Sequence, residues 1–195
     1  MSSMIELKNI HKSYGDYTVF RGLSLSFEKG GVTCITGASG CGKTTLLRIL
    51  AGLEAPDGGT AEKSGTLAYV FQEDRLTENY SAVSNIRLVT GGRMSDADIR
   101  RHLTEVGLKD FTDKKVRDFS GGMKRRVAIA RAVCYDAGIL LMDEPFKGLD
   151  AKLKTGVMDY VKKYSGGKTV ICVTHDPAEA EYLGGKVVRL PGPYV

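Results

Sequence analysis

The sequence predicts an α/β fold in which helices cover both faces of a mostly parallel sheet, with an antiparallel β subdomain and an inserted helical lobe. Runs of apolar and β-branched residues at 32–36, 139–142 and 169–173 have the composition of buried strands, and helical patterns separate them. At 23–28 apolar and polar residues alternate, as in a half-buried antiparallel strand. From 73 to 119 no strong strand pattern occurs, so this stretch is the predicted helical lobe.

The predicted elements follow one another in the alternating order of an α/β protein. The antiparallel β subdomain covers 1–30 and turns at 14–16, and the first helix is expected to end at the turn-forming residues 55–59. In the lobe, Ser95 is a candidate helix cap and Gly107 a candidate stop. The predicted strands are 5–10, 23–28, 32–36, 67–71, 138–143, 169–174 and 186–190. The predicted helices are 44–51, 81–89, 95–106, 120–135, 150–164 and a short helix capped by Asp176.

The composition favours a cytoplasmic protein. The 195 residues suit one large domain over 1–195. No apolar run approaches the roughly 18 residues that a membrane span needs, and the N-terminus lacks the apolar core of a signal peptide. A net charge of +5 without a long basic run gives little reason to expect a nucleic-acid partner. The cysteines form no C-x-x-C pair, which suggests thiols in a reducing compartment. They are Cys34, Cys41, Cys134 and Cys172.

Residues 37–45 carry the pattern G-x-x-x-x-G-K-T between a predicted strand and a predicted helix, which is the context of a phosphate-binding loop. The glycines allow successive backbone N–H groups to face phosphate oxygens, and the helix N-terminus adds partial positive charge. Lys43 can reach the β- and γ-phosphates, and the Thr44 hydroxyl can bind Mg²⁺. The predicted nucleotide contacts here are Gly37, Ala38, Ser39, Gly40, Cys41, Gly42, Lys43, Thr44 and Thr45.

The apolar run at 139–142 ends in two acidic residues, Asp143 and Glu144. In open α/β sheets the carboxyl ends of the strands line the ligand crevice. Asp143 can hold Mg²⁺ there through its water shell, and Glu144 can act as the general base on the water beyond the γ-phosphate. A solvated strand end is the alternative, and the phosphate loop favours the catalytic interpretation.

A second glycine-rich segment, Ser120-Gly121-Gly122, opens the helix predicted over 120–135. Serine followed by two glycines at a helix N-terminus can bind an anion, and an ordinary N-cap is the alternative. The basic residues that follow are expected to form a solvated helix face, with contact to a nucleotide or a partner as the other interpretation. They are Lys124, Arg125, Arg126 and Arg131.

The order of these motifs, together with Gln72, Leu149-Asp150 and His175, resembles the nucleotide-binding subunit of ATP-binding cassette (ABC) transporters. The resemblance covers nearly the whole chain. Its Ser-Gly-Gly segment is the family signature, which separates it from other phosphate-loop ATPases. The resemblance implies a phosphate-loop NTPase core, hydrolysis of ATP, and the cofactors ATP and Mg²⁺.

The resemblance also implies individual roles. Tyr14 matches the aromatic residue that stacks on adenine, with Tyr17 as a rival. Gln72 matches the glutamine that contacts Mg²⁺ and the attacking water and links the site to the helical lobe. His175 matches the histidine that contacts the γ-phosphate. The implied catalytic residues are Lys43, Gln72, Glu144 and His175, and the implied metal ligands are Thr44, Gln72 and Asp143.

In this family the domains pair head to tail, and the resemblance implies that the second glycine-rich segment contacts the ATP of the partner subunit. Each ATP lies between one subunit's phosphate loop and the other subunit's Ser120-Gly121-Gly122, and Asp150 matches an aspartate that bridges the two subunits. A single copy of each motif therefore implies a homodimer, or a pair with a related ABC subunit, that ATP closes.

Two residues of the signature region depart from the commonest family pattern. Phe119 stands where leucine is commonest, and Met123 where glutamine is commonest. The segment 147–150 also differs from the commonest form but keeps its aspartate. Because no catalytic position is missing, we expect an active ATPase.

The predicted function is that of an ATPase subunit whose transmembrane permease subunits are separate chains, held at the cytoplasmic face of the cell membrane. The segments 70–76, 123–131 and 143–150 resemble those of bacterial importers of the nitrate, sulfonate and taurine type. An importer would also use a substrate-binding protein. The alternatives are an exporter subunit, a non-transport ABC ATPase that acts on nucleic acid or the ribosome, and a nucleotide-binding regulator without turnover.

Cys41 lies inside the phosphate loop, at the start of the predicted helix. A helix N-terminus favours the thiolate form of cysteine. The sequence therefore predicts that an alkylating reagent inactivates the protein and that ATP protects it.

Overall fold

The structure is a computed structural model that describes Ser3–Gly192, and the chain forms two compact units. The first unit contains the chain up to Tyr69, Ala137–Glu144, and the chain from Gly167 onward. The second contains Val70–Asp136 and Pro145–Gly166. Among the helices of the described residues, none is both long enough and apolar enough to cross a membrane.

The elements alternate as the sequence predicts. The strands are β1 (Ser3–Tyr14), β2 (Tyr17–Glu28), β3 (Val32–Thr36), β4 (Gly58–Lys63), β5 (Leu67–Val70), β6 (Ile139–Asp143), β7 (Thr169–Val173) and β8 (Lys186–Arg189). The α-helices are α1 (Lys43–Ala51), α2 (Ala82–Thr90), α3 (Asp96–Glu105), α4 (Gly121–Cys134), α5 (Ala151–Tyr164) and α6 (Pro177–Leu183), and short 3₁₀ turns cover Lys109–Phe111 and Val116–Asp118.

A five-stranded sheet with the order β5-β6-β7-β3-β8 confirms the predicted α/β class. β3 pairs in parallel with β7 and β8, and β6 pairs in parallel with β7. Every residue of β6 and β7 is buried, as expected for inner strands covered on both faces. The carboxyl end of β3 leads into the phosphate loop, and the carboxyl end of β6 carries Asp143.

A second, antiparallel sheet has the order β2-β1-β4 and contains a strand that the sequence did not predict. The residues of β4, Gly58–Lys63, are almost all exposed and lack the apolar alternation that reveals a strand. Gly59 has a φ of +87°, and a Cβ there would lie 2.3 Å from the carbonyl oxygen of Asn9. Backbone contact with β1 therefore defines this strand, rather than side-chain burial.

The first helix ends where its pattern at 44–51 predicts, but it does not extend to the turn residues 55–59. α1 stops at Ala51, where Gly52 adopts a left-handed conformation and its N–H donates to the carbonyl oxygens of Arg48 and Ile49. The residues at 55–59, which were expected to end the helix, lead into β4 instead. The predicted helix 44–51 is therefore confirmed, and only the stop expected at 55–59 was wrong, because Gly52 is the nearer glycine with left-handed geometry.

One apolar core joins the antiparallel sheet, α1 and the inner strands of the first unit. α1 contributes Leu46, Leu47, Ile49 and Leu50, each at most 3% exposed. A leucine-to-alanine change at a site of this kind costs about 2–5 kcal/mol. The phosphate loop is thus mounted on well-packed elements at both of its ends.

The helices of the second unit begin at the polar residues that the sequence indicates. Ser81, Ser95, Ser120 and Asp150 each accept a hydrogen bond from the backbone N–H three residues later. The predicted cap at Ser95 is therefore confirmed.

A buried aromatic cluster joins α3 to α5 in this unit. The His102 ring is 6% exposed, and its Nδ1 lies 2.8 Å from the Tyr160 hydroxyl and its centroid 4.4 Å from that of Tyr164. Tyr164 in turn donates to the Glu105 carboxylate at 2.6 Å, and Lys163 pairs with the same carboxylate. Burial lowers the pKa of the His102 imidazole below its ordinary value of 6.5, against the opposing charge of Glu105.

We expect His102 to make the protein less stable in acid. Because the folded chain holds His102 with a lowered pKa, the unfolded chain binds more protons below pH 6.5. The contribution of neutral His102 to the free energy of unfolding is complete above that pH. It is lost as the pH falls below 6.5, by at most about 1.4 kcal/mol per pH unit. Urea unfolding at pH 7.5 and 5.5 should show this loss in the wild type.

His102→Gln should reduce this pH dependence, because glutamine can still bond to Tyr160 but does not titrate. His11→Gln, at an exposed histidine of the first unit, is the matched control and should keep the full dependence. Equal pH dependence in wild type and His102→Gln would contradict the role of this side chain.

Candidate active site

The phosphate loop connects β3 to α1, and its glycines are required by its geometry. Gly42 has a φ of +93°, and a Cβ at this position would lie 2.3 Å from Cγ1 of Val19 and 2.9 Å from the ring of Phe20. Gly37 has a φ of +153°, and a Cβ there would lie 2.6 Å from Sγ of Cys41. No other residue fits at either position without displacing its neighbours.

α1 differs from the other α-helices of Ser3–Gly192, because no side chain caps its N-terminus. The other five begin at a serine or aspartate whose oxygen accepts a backbone N–H. The first turn of α1 also contains no acidic residue. Its leading N–H groups and partial positive charge are therefore available to an anion from outside the chain.

Lys43 directs its ammonium group back over the loop. Nζ donates to the carbonyl oxygens of Gly37 at 2.9 Å and Ala38 at 2.8 Å. The lysine is half-buried, whereas Ala38, Ser39 and Gly40 are exposed. A fixed positive charge beside exposed loop backbone suits a phosphate group.

Thr44 and Asp143 meet next to this loop. The Thr44 hydroxyl donates to Oδ2 of Asp143 at 2.8 Å, and Asp143 is only 2% exposed at the end of β6. A hydroxyl and a carboxylate are the hard oxygen ligands that Mg²⁺ prefers. The donor set therefore fits the ion that the sequence predicts.

Glu144 follows Asp143 in a strained conformation. Its φ is +46°, and its N–H donates to the carbonyl oxygen of Val173 at 2.9 Å. Its Oε1 lies 3.4 Å from Nδ1 of His175, and the side chains are 18% and 62% exposed respectively. A left-handed conformation at a non-glycine residue costs on the order of 1–3 kcal/mol and persists where the surroundings enforce it.

A buried hydrogen-bond network, which the sequence analysis missed, holds the turn that carries His175. The Thr174 hydroxyl donates to the Glu179 carboxylate at 2.5 Å and accepts the N–H of Asp176 at 3.1 Å. Glu179 is 5% exposed, which is unusual for a glutamate. The sequence signal available for this glutamate was its capping-box spacing of three residues from Asp176 at the start of α6.

Tyr14 and Tyr17, the rival adenine-stacking residues, lie in different environments. Tyr14 is 48% exposed, its hydroxyl donates to the Glu54 carboxylate, and the ammonium of Lys12 lies 5.2 Å from its ring centroid. Tyr17 is 40% exposed, and its hydroxyl donates to the carbonyl oxygen of Gly40 at 2.9 Å. Both rings retain exposed surface on the first unit.

The remaining predicted site residues belong to the second unit. Gln72 follows β5 and is exposed. Oγ of Ser120 accepts the N–H of Met123 at 3.3 Å, so this serine is an N-cap, while Gly121 is exposed and Gly122 half-buried. Oδ1 of Asp150 accepts the N–H of Leu153 at 3.0 Å as the cap of α5.

The basic residues after the Ser-Gly-Gly segment do not form the solvated face that the sequence predicts. Arg125 and Arg126 are 8% and 7% exposed. Arg126 donates to the carbonyl oxygens of Gly122, Val106 and Gly107. The prediction was wrong because α4 is buried almost all round, and its arginines satisfy carbonyl groups of neighbouring loops.

A phosphate loop at an uncapped helix, beside an acidic strand end, is the arrangement of a phosphate-loop nucleotide-binding protein. A family model described as ABC transporter matches residues 20–147. The chain is 38% identical over 189 residues to the aliphatic sulfonates import ATP-binding protein SsuB 1 of Pseudomonas syringae, covering 95% of this chain and 80% of that protein. It is 36% identical over 208 residues to the sulfate/thiosulfate import ATP-binding protein CysA of Methylococcus capsulatus, covering 95% and 60% respectively.

Solved structures agree with the sequence comparisons. A dimeric ATP-binding cassette in a post-hydrolysis state, bound to ADP and Pi, superposes with a TM-score of 0.84 at 30% identity. The match covers 96% of this chain and 94% of that one. The chain belongs to the ABC transporter family and is an ATP hydrolase of the ABC type, so the predicted resemblance is confirmed.

Cys41 is less accessible than the sequence suggests. It is 2% exposed, and its Sγ lies 3.9 Å from Nζ of Lys43. Cys34 and Cys172 are also buried, and burial raises the pKa of Cys34 to about 11. A buried thiol reacts slowly whatever its ionisation, so ready alkylation of Cys41 is no longer expected.

We expect a short pulse of N-ethylmaleimide on the native chain to leave Cys41 largely unmodified. The same pulse in urea should label it fully, because unfolding exposes the side chain. Peptide mass spectrometry separates it from the half-buried Cys134, which serves as the internal reference. Rapid native labelling of Cys41, with loss of ATPase activity that ATP prevents, would contradict the burial.

Proposed function

We propose that this chain is the ATPase subunit of an ABC importer and that it binds Mg-ATP at the phosphate loop of its first unit. The observation that carries the proposal is the uncapped N-terminus of α1, whose first two residues are Lys43 and Thr44, with Thr44 bonded to Asp143. Both curated relatives described above are named as import ATP-binding proteins. The permeases that they serve would be separate chains at the cytoplasmic face of the membrane.

In this proposal the loop residues bind the phosphates through their backbone N–H groups, and Lys43 exchanges its loop carbonyl partners for phosphate oxygens. Thr44 and Asp143, with Gln72, would hold Mg²⁺, which neutralises charge on the β- and γ-phosphates. Tyr14, or its rival Tyr17, would stack on the adenine ring through exposed ring surface. These roles are supported by donor chemistry and by exposure.

Glu144 is the proposed general base, and His175 its partner at the γ-phosphate. The 3.4 Å separation of Oε1 and Nδ1 lets the imidazole orient the carboxylate. The strained backbone at Glu144 directs its side chain differently from that of a regular strand residue. Gln72 would orient the attacking water.

The second unit would serve the ATP of a partner subunit. Ser120, Gly121 and Gly122 begin α4 without an acidic residue in its first turn, so the N-terminus of this helix is compatible with a phosphate. Asp150 would bridge the two subunits. A related cassette that is dimeric and bound to ADP and Pi supports this arrangement. A substrate-binding protein would be a further partner of the assembled importer.

Glu144→Gln should trap a dimer in the presence of Mg-ATP. Removing the base stops hydrolysis but leaves the phosphate contacts intact, so ATP should remain bound between the subunits. Size-exclusion chromatography with light scattering, with and without Mg-ATP, measures the change. Glu181→Gln, at an exposed glutamate, is the control and should behave as the wild type. An ATP-saturated Glu144→Gln chain that stays monomeric would contradict the proposed two-subunit site.

Asp143→Asn should remove most of the benefit of Mg²⁺ to nucleotide binding. Asparagine can still accept the Thr44 hydrogen bond but lacks the charge that holds the cation. The ratio of the Kd for ATP in EDTA to the Kd in Mg²⁺ measures how much the ion tightens binding. We expect this ratio to be at least about tenfold smaller in the variant than in the wild type, which corresponds to about 1.4 kcal/mol. Titrations in EDTA and in Mg²⁺, with the exposed Asp110→Asn as control, measure the difference. If Mg²⁺ tightened ATP binding by the same factor in Asp143→Asn and Asp110→Asn, Asp143 would be excluded from the metal site.

A further inference from the structure

The segment that carries Gln72 has no regular secondary structure. Phe71 to Arg75 follow β5 and form neither strand nor helix. Backbone carbonyl groups in such a segment need partners from elsewhere, since no ladder supplies them. In this chain the partners are arginine side chains of α4, within the same unit.

Arg125 makes the central contacts. Its Nη1 donates to the carbonyl oxygen of Phe71 at 2.6 Å, and its Nη2 donates to the carbonyl oxygen of Gln72 itself. Its Nε lies 3.2 Å from Oδ1 of Asp74. The guanidinium is thus hydrogen-bonded to two neighbouring carbonyl groups of the segment and ion-paired with the Asp74 carboxylate, and Arg125 is only 8% exposed.

Arg131, less than two turns further along α4, extends this attachment. It donates to the carbonyl oxygens of Arg75 at 2.9 Å and Asp74 at 3.1 Å. Arg75 has a φ of +45°, and its guanidinium carbon lies 4.0 Å from the ring centroid of Phe71. A left-handed arginine is retained only where neighbours enforce it, so the segment has one defined path.

The contrast at Gln72 is the informative feature. Its carbonyl is bonded to a buried side chain, while its own side chain is exposed. A fixed main chain with an exposed amide is the arrangement needed by a residue that must present its side chain to a ligand.

We propose that Arg125 is a positioning residue that fixes the Gln72 amide to the helix beginning at Ser120-Gly121-Gly122. The inference rests on the role of Gln72 in the proposed function. Arg125 lies five residues after Ser120, so a displacement of the start of α4 moves the main chain of Gln72 with it. The segment that would contact a partner's ATP and the glutamine that would serve this chain's own ATP are therefore mechanically connected inside one unit.

Arginine is chemically suited to this task. Its planar guanidinium has five N–H donors in a fixed geometry, which allows it to bond to two neighbouring carbonyls while its charge pairs with a carboxylate. Lysine can place its charge near the same oxygens, but its ammonium cannot reproduce the forked geometry. Arg125→Lys should therefore restore only part of the function lost in Arg125→Ala.

A double-mutant cycle with Gln72 tests the proposal. Arg125→Ala should lower kcat for ATP hydrolysis about tenfold and leave KM within about twofold, because it disturbs the placement of one amide rather than nucleotide binding. Gln72→Ala should lower kcat by a similar factor. The double variant should be no slower than Gln72→Ala alone, because Arg125 acts through Gln72.

The controls separate positioning from general folding. Arg100→Ala removes contacts to Asp113 and Thr112 in the same unit and should leave kcat unchanged. If Arg125→Ala does not fold, Arg125→Lys enters the same cycle. Independent, multiplicative losses in the double variant, or an unchanged kcat in Arg125→Ala, would overturn the inference and leave the proposed function standing. An unchanged kcat in Gln72→Ala would instead show that the role proposed for Gln72 is wrong.

Discussion

The candidate site of the first unit depends on one constraint: no side chain caps the N-terminus of α1. Five other α-helices of the described chain satisfy their first N–H groups with a serine or aspartate, and α1 has Gly42 in that position. A capping side chain cannot be accommodated there, because its Cβ would collide with Val19 and Phe20 of β2. The packing of the antiparallel sheet therefore leaves the first N–H groups of α1 without a capping side chain, at some cost to the stability of the helix, and the proposed function assigns these groups to the phosphates.

The chemistry beside this helix is arranged by strand ends. The carboxyl end of β6 places Asp143 against the Thr44 hydroxyl. The next residue, Glu144, donates its N–H to the carbonyl oxygen of Val173, and its carboxylate lies against His175. The second unit uses its charged groups differently: its buried arginines satisfy loop carbonyls and give irregular segments a defined path. The first unit thus leaves the N–H groups at the start of α1 uncapped, whereas the second unit pairs its buried arginines with carbonyl groups.

The sequence was sufficient for the elements with strong local signals and insufficient for those that depend on tertiary contacts. The buried strands, the phosphate loop and the cap at Ser95 are local patterns, and all are present. β4 was missed because backbone contacts define it, and the burial of Arg125, Arg126 and Cys41 depends on elements distant in sequence. The positive φ of Glu144 has no local signal at all, since a glutamate gives no indication of left-handed backbone. The site roles assigned by resemblance remain predictions.

The most direct test of the account is calorimetric titration of ATP into two lysine variants at opposite ends of α1. Lys43 lies at the open N-terminus, whereas Lys63 donates to the carbonyl oxygens of Leu50 and Ala51 at the C-terminus. The account predicts that Lys43→Ala weakens ATP binding at least about tenfold, or about 1.4 kcal/mol, while Lys63→Ala binds ATP as the wild type does. Equal ATP affinity in the two variants would contradict the claim that the uncapped end of α1 is the phosphate site.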